Sequence, residues 1–127
     1  MKQLKDGSKE LFIVDDKDGT PTYTHDFALT VKELFQKEYW GLYNCVCGGQ
    51  TSRLEVAREL LNVLGKGKEI KINVVSSEYF KAEYYADRPA SERLWTRKLQ
   101  LRGVNAMRDW KIALREYITN YYEGYLS

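Results

Sequence analysis

Cys45 and Cys47, the single histidine His25, the pair Gly48-Gly49 and the arginines between residues 88 and 102 are the groups whose types and spacing could do chemistry. A metal site needs three or four converging donors, whereas two thiols and one imidazole supply three at most, and His25 has no cysteine near it in sequence. No metal site is expected. Cys45 and Cys47 are one residue apart in an extended-looking run, too close to staple distant segments, and are expected to be reduced, buried thiols. His25, just ahead of a helix, is expected to be a surface or capping residue. Gly48-Gly49-Gln50-Thr51 lies between a strand and a helix, where backbone amides could cradle phosphate. It lacks the lysine and spacing of a P-loop and the three glycines of a dinucleotide turn. A turn that needs φ > 0 accounts for the pair as well as a ligand does. Residues 88–102 hold Arg88, Arg93, Arg97, Lys98 and Arg102 against the single acid Glu92. The planar guanidinium suits bidentate contact with phosphate, so an anionic ligand and a solvated helix face both fit this segment. Arg88, in a loop beside Pro89, is the one best placed to be aimed at a site.

A small fold has to position these groups. The chain of 127 residues is 43% hydrophobic and 30% charged, enough for one domain over 1–127 and too short for two. A formal net charge of +2 is far from the basic excess of a dedicated nucleic-acid binder, so nucleic acid is not an expected partner. No apolar run approaches the roughly 20 residues that cross a bilayer, and the polar start Met1 to Glu10 lacks a signal-peptide core, so no membrane partner is expected and the expected location is the cytoplasm. Ten tyrosines, three tryptophans and four phenylalanines, interleaved with charge, point to a compact chain without a disordered or low-complexity segment.

The pattern along the chain predicts a mixed α/β fold. Glu10 to Val14 is a short β-prone run ending in the turn-forming Asp15 to Gly19, and Pro21 keeps Thr20 to Thr24 extended. From Asp26, Phe27, Ala28, Val31, Leu34 and Phe35 form the apolar stripe of an amphipathic helix, with Thr24 or Asp26 able to cap it. Leu42 to Cys47 is expected as a strand, with Tyr43, Cys45 and Cys47 on one face and Leu42, Asn44 and Val46 on the other. Ser52 with Glu55 is a capping-box signature opening a helix through Leu54, Ala57, Leu60, Leu61 and Leu64, closed by Gly65. Ile70 to Val75 alternates as a half-buried strand, Ser76 or Ser77 caps a short turn through Phe80, and Lys81 to Ser91 is a loop. Leu94 to Leu101 is a basic helix stopped by Gly103, and Trp110, Ala113, Leu114, Tyr117, Ile118 and Tyr121 mark a last helix.

The order of these features carries a family resemblance. Phe12 to Thr24 (FIVDDKDGTPTYT), followed by Asp26-Phe27-Ala28, resembles the VVDDQxGxPTYTxDLA segment of the dTDP-4-dehydrorhamnose reductase family. Gly41-Leu42-Tyr43-Asn44 is similar to that family's GIYH strand, Ser52 to Leu64 to the helix after it, and Arg88-Pro89-Ala90-Ser91 to its RPxxS loop. Arg108-Asp109-Trp110, followed by Ala113-Leu114-Arg115-Glu116-Tyr117, is similar to its closing W…ALxxY helix. The five motifs run from about Glu10 to Ile118, and the part of the family they match is the C-terminal, substrate-binding part of an extended short-chain dehydrogenase, without the N-terminal Rossmann half.

The resemblance implies that the complete enzyme reduces a nucleotide-linked 4-keto sugar, most naturally dTDP-linked, with NADPH or NADH, in deoxysugar and polysaccharide biosynthesis. The cofactor and the Tyr-x-x-x-Lys pair belong to the other half. This chain has no Gly-rich fingerprint and no tyrosine with a lysine four positions on, so no cofactor and no catalytic residue are expected in it, and it is expected to be inactive alone. The resemblance places Gly19, Thr20, Pro21 and Thr22 near the active-site cleft and Arg88 near the diphosphate. Met1 to Leu4 looks like the second half of a helix preceding the first strand, as in a fragment, split gene product or truncation. Glu92 to Arg97 departs from the small apolar and Asp-Asn residues usual in the family, which leaves the nucleotide sugar open. The expected partners are the missing half or, through the apolar faces of the strands at 11–14 and 42–47, a second copy. Two other readings fit the same residues. One is a non-catalytic regulatory or protein-binding module of this fold, suggested by Tyr117, Tyr121, Tyr122 and Tyr125; the other is part of a nucleotide-sugar epimerase or dehydratase.

Overall fold

The computed structural model describes residues 1–82 and 88–124. The middle of the expected 81–91 loop, and Tyr125, lie outside the described residues. A short helix α1 (Lys2–Lys5) precedes strand β1 (Glu10–Val14), which pairs in parallel with β4 (Lys71–Val75) in the register Leu11 to Ile72 and Val14 to Val75. Between them come β2 (Asp18–Gly19), α2 (Thr24–Gln36), β3 (Thr51–Ser52) and α3 (Arg53–Val63). A 3-10 turn (Ser77–Phe80), β5 (Ser91–Glu92), α4 (Arg97–Leu101) and α5 (Trp110–Tyr122) complete the described chain.

Helix α3 forms as its sequence dictates. Ser52 Oγ accepts from the Glu55 amide and Glu55 Oε2 accepts from the Ser52 amide, so both donors of the capping box are satisfied. Leu54 and Leu61 are its buried face, and the helix packs on β1, whose Leu11 and Val14 are buried. The 3-10 turn is capped from a distance: Asp16 Oδ2 accepts from the amide and the hydroxyl of Ser77, which holds the Asp16 carboxyl below its ordinary range. Ser76 precedes this turn without a side-chain cap.

Three expectations are corrected. Helix α2 begins at Thr24 with no side-chain cap, and its buried residues are Asp26 and Thr30. Much of the apolar stripe faces outward: Phe27 is 43% and Phe35 65% exposed, while Val31 and Leu34 are half-buried. The reason is electrostatic. Arg108 donates Nε to both Asp26 oxygens at 3.1 and 3.0 Å and Nη2 to Oδ1 at 2.7 Å, while its Nη1 donates to Glu116 on α5. A carboxylate 1% exposed stays in the interior only where it is paired, so the pairing sets the rotation of the helix. Residues 42–47 have no regular secondary structure and, among the described residues, join no sheet. Tyr43 and Cys45 are half-buried, Val46 and Cys47 are buried, and Leu42 is 87% exposed. The Cys47 amide donates to Pro21 O at 3.1 Å, and no strand in either sheet lies alongside. The third correction is smaller: the basic helix spans Arg97–Leu101 rather than starting at Leu94, and in β4 Val74 is turned out at 46% exposure.

The core gathers Tyr23, Cys47, Met107, Trp110 and Ala113, with Cys45, Val56 and Leu114 against it, so α5 presents the face its period predicts. Entry to α5 is shaped by the glycine pair. The Gly48 amide donates to Arg108 O at 2.9 Å and the Trp110 amide to Gly48 O at 3.0 Å. Gly49 has φ +87°, and a Cβ there would lie 2.8 Å from both Asp109 Oδ2 and Trp110 Cδ1. The close approach of α5, together with positive φ, accounts for Gly49.

Arg108→Met strands the Asp26 carboxylate without a cation and is expected to cost about 3 kcal/mol in urea unfolding. Glu116 is held below the ordinary glutamate range by its hydrogen bond from Arg108, so this contribution is present above the unfolded pKa and fades as pH falls through the lower folded value. The melting temperature is therefore expected to drop on acidification, and Glu116→Gln to flatten that acid limb. Gly49→Ala is expected to cost about 1–3 kcal/mol in the same unfolding assay. Gly48→Ala, whose nearest contact would be 3.8 Å, is expected to be tolerated.

Candidate functional site

Strand β2 is only Asp18 and Gly19, yet it is the middle strand of a three-stranded sheet ordered β3-β2-β5. It runs antiparallel to β3, with Gly19 opposite Thr51, and parallel to β5, with Gly19 opposite Glu92. Pro21 cannot donate to a ladder and follows directly, so the strand stops and the chain turns into Thr22 and α2. Side chains extend the zipper on both sides. Lys17 Nζ donates to Arg88 O at 2.6 Å, the Asp18 amide to Ala90 O at 2.9 Å, and the Leu94 amide to Thr20 Oγ1 at 3.2 Å. Arg93 donates Nη1 to Gln50 Oε1 at 3.0 Å and Nε to Ser91 Oγ at 3.0 Å, and its Nη2 lies 3.6 Å from Asp18.

The residues singled out by sequence are thus brought together: Gly19, Thr20 and Pro21 are half-buried, Thr22 is exposed beside them, and the Arg88 loop is hydrogen-bonded to the same strand. The Arg88 side chain is 65% exposed, with Nη1 3.7 Å from Glu92. The basic segment is not one patch. Lys98 lies 4.3 Å from the Tyr43 ring centroid and donates to Leu42 O at 3.0 Å, and Arg102 lies 4.6 Å over Tyr39, so these two cations clamp residues 39–43. Arg88 and Arg93 stay with the β2–β5 loops, and Arg97 lies 5.1 Å over the Trp95 ring.

Gln50, Lys17 and Trp95 join this site without a signal of their own in the sequence, because their partners lie tens of positions away. His25, exposed, lines a cleft of about 550 Å³ with Tyr23, Thr24, Tyr117, Tyr121 and Tyr122. Its ring is tilted against Tyr23 at 5.8 Å. Burial raises the pKa of both Cys45 and Cys47, which keeps them as thiols rather than nucleophilic thiolates. Among the described residues no group of three His, Cys, Asp or Glu is arranged to hold a metal, and no helix is long and apolar enough to cross a membrane. The glycine turn before α3 does not fit a dinucleotide. The Asp109 carboxylate and the Trp110 ring occupy the space over Gly49, and at the start of α3 the Arg53 amide donates to Lys17 O and the Glu55 amide to Ser52 Oγ.

Comparison with known proteins supplies the family. The spore coat polysaccharide biosynthesis protein SpsK of Bacillus subtilis is 34% identical over 93% of this chain and 40% of its own length. A dTDP-4-dehydrorhamnose reductase of Mycobacterium tuberculosis is 30% identical over 90% of the chain and 37% of its own length. The solved structure of a dTDP-4-dehydrorhamnose reductase from Clostridium acetobutylicum superposes with a TM-score of 0.85 at 31% identity, covering 94% of this chain and 41% of that one. The Bacillus anthracis reductase, solved in complex with NADP, shares the fold at 23% identity, with a TM-score of 0.81 over 94% of this chain and 41% of its own. The chain spans about 40% of the length of the first curated relative and corresponds to a C-terminal portion of these proteins. With the RmlD substrate binding domain model matching residues 1–123, the chain belongs to that family.

Proposed function

We propose that this chain forms the substrate-binding part of a reductase acting on a dTDP-linked 4-keto sugar, in deoxysugar and polysaccharide biosynthesis in the cytoplasm. The observation that carries the reading is the β2–β5 zipper, which joins the Gly19 to Thr22 turn to the Arg88 loop. In this reading Gly19, Thr20, Pro21 and Thr22 form the wall of the sugar cleft and Arg88 contacts the diphosphate. Thr20 Oγ1 and the Lys17 ammonium are spent on holding the Arg88 loop, so the wall is set before the ligand arrives. The Arg88 guanidinium needs only to leave Glu92, a pair exposed enough to be worth little. Hydride comes from NAD(P)H, which binds to a separate cofactor-binding part.

That part has a surface to meet. Phe35 and Trp40 pack edge to face at 5.1 Å, both largely exposed, and are followed by the exposed Leu42 and the unladdered residues 42–46. An apolar helix face beside an unladdered segment suits a sheet edge of the cofactor-binding part. A second reading, a non-catalytic protein-binding module, is favoured by the tyrosine cleft, because phenol rings are enriched at interfaces.

Isothermal titration of dTDP, for the chain alone and mixed with the cofactor-binding part of the Clostridium acetobutylicum reductase, separates the two. The reductase reading expects binding that Arg88→Ala weakens about tenfold, the loss of one charge-assisted contact. No binding in either state would remove it and leave the protein-binding module.

A further inference from the structure

Trp95 is 61% exposed, next to the half-exposed Leu94, beside the β2–β5 loops. Its position is fixed by its neighbours: the Leu94 amide is tied to Thr20 Oγ1, and Trp95 O accepts from Asn44 Nδ2 at 3.4 Å. The indole therefore stands at the rim of the proposed cleft. The Arg97 guanidinium lies 5.1 Å from the indole centroid, and among the described residues no carboxylate pairs with Arg97. An exposed indole backed by an unneutralised planar cation is complementary to a ligand that is flat at one end and anionic at the other.

We propose that Trp95, steadied by Arg97, is the stacking platform for the base of a nucleoside diphosphate whose phosphates lie toward Arg88, and so a specificity-determining residue. This rests on the reading of the Arg88 loop as a nucleotide-sugar site. Stacking is tolerant of base identity, so Trp95 selects for a base-bearing diphosphate over a bare one, while thymine and uracil are distinguished little.

The test uses the 127-residue chain in a Trp40→Phe background, which leaves Trp95 and the buried Trp110 as fluorophores. The probes are dTDP and inorganic pyrophosphate. The expected result is quenching of Trp95 emission by dTDP and a loss of dTDP affinity of about tenfold in Trp95→Ala, with Trp95→Phe near the parent and pyrophosphate affinity unchanged in both. Melting curves of the variants check that this exposed position leaves the fold intact. Equal dTDP affinity in Trp95→Ala and the parent overturns the platform while leaving the Arg88 reading standing. A parent that binds neither probe, alone or mixed with the cofactor-binding part of the Clostridium acetobutylicum reductase, overturns both. Equal weakening of dTDP and pyrophosphate in Trp95→Ala also overturns the platform, since it assigns Trp95 to holding the loop.

Discussion

The ion pair between Asp26 and Arg108 is the constraint on which the rest of the structure depends. It joins the first turn of α2 to the loop before α5 across the width of the molecule, and Glu116 takes the remaining face of the same guanidinium. Arg108 also lies 5.9 Å over the Tyr23 ring, so the residue that precedes α2 is held by the same group. The gain in Coulomb energy is offset by desolvation, and the value of the arrangement lies in orientation more than in net stability. Once Asp26 must point inward, Thr30 follows one turn later and the aromatic side of α2 is obliged to point outward.

That obligation links the core to the surface. Phe27 and Phe35 would be core residues in a helix packed by its apolar side, and here both stand exposed. The segment after α2 is held by Lys98 and Arg102 through cation–π contacts rather than by a ladder. The clamp keeps residues 39–43 in a shape that a neighbouring strand can use. On the far side of the core, the β2–β5 zipper is held by hydrogen bonds and pairs of modest individual strength, each partly exposed.

How much of this was legible depends on the range of the interaction. The capping box of α3, the inward face of α5 and the turn after β1 are local, and Ser52 with Glu55, or Trp110 with Ala113 and Ile118, carry them in adjacent turns. The meeting of the Gly19 loop with Arg88 was legible only through family resemblance, because spacing alone says nothing about contacts across so long a stretch. The outward stripe of α2 was misread for a definite reason. Periodicity reports that a helix is two-sided, and an apolar side normally packs on its own chain, but Asp26 outweighed that preference through a partner far along the sequence. The strand at 42–47 was misread likewise, since alternation predicts extension and not the presence of a partner to pair with.

The separation of these partners has a consequence for how the chain comes into being. Lys17 and the carbonyl of Arg88 are 71 positions apart, Thr20 and Leu94 are 74, and Asp26 and Arg108 are 82. Closing such loops costs entropy that only the final contacts repay. As the chain leaves the ribosome, Asp26 emerges as a hydrated carboxylate at the start of a helix with nothing to orient it. α2 takes its permanent facing only once Arg108, 82 positions further along, has been made, so the orientation of an early helix waits on a late residue.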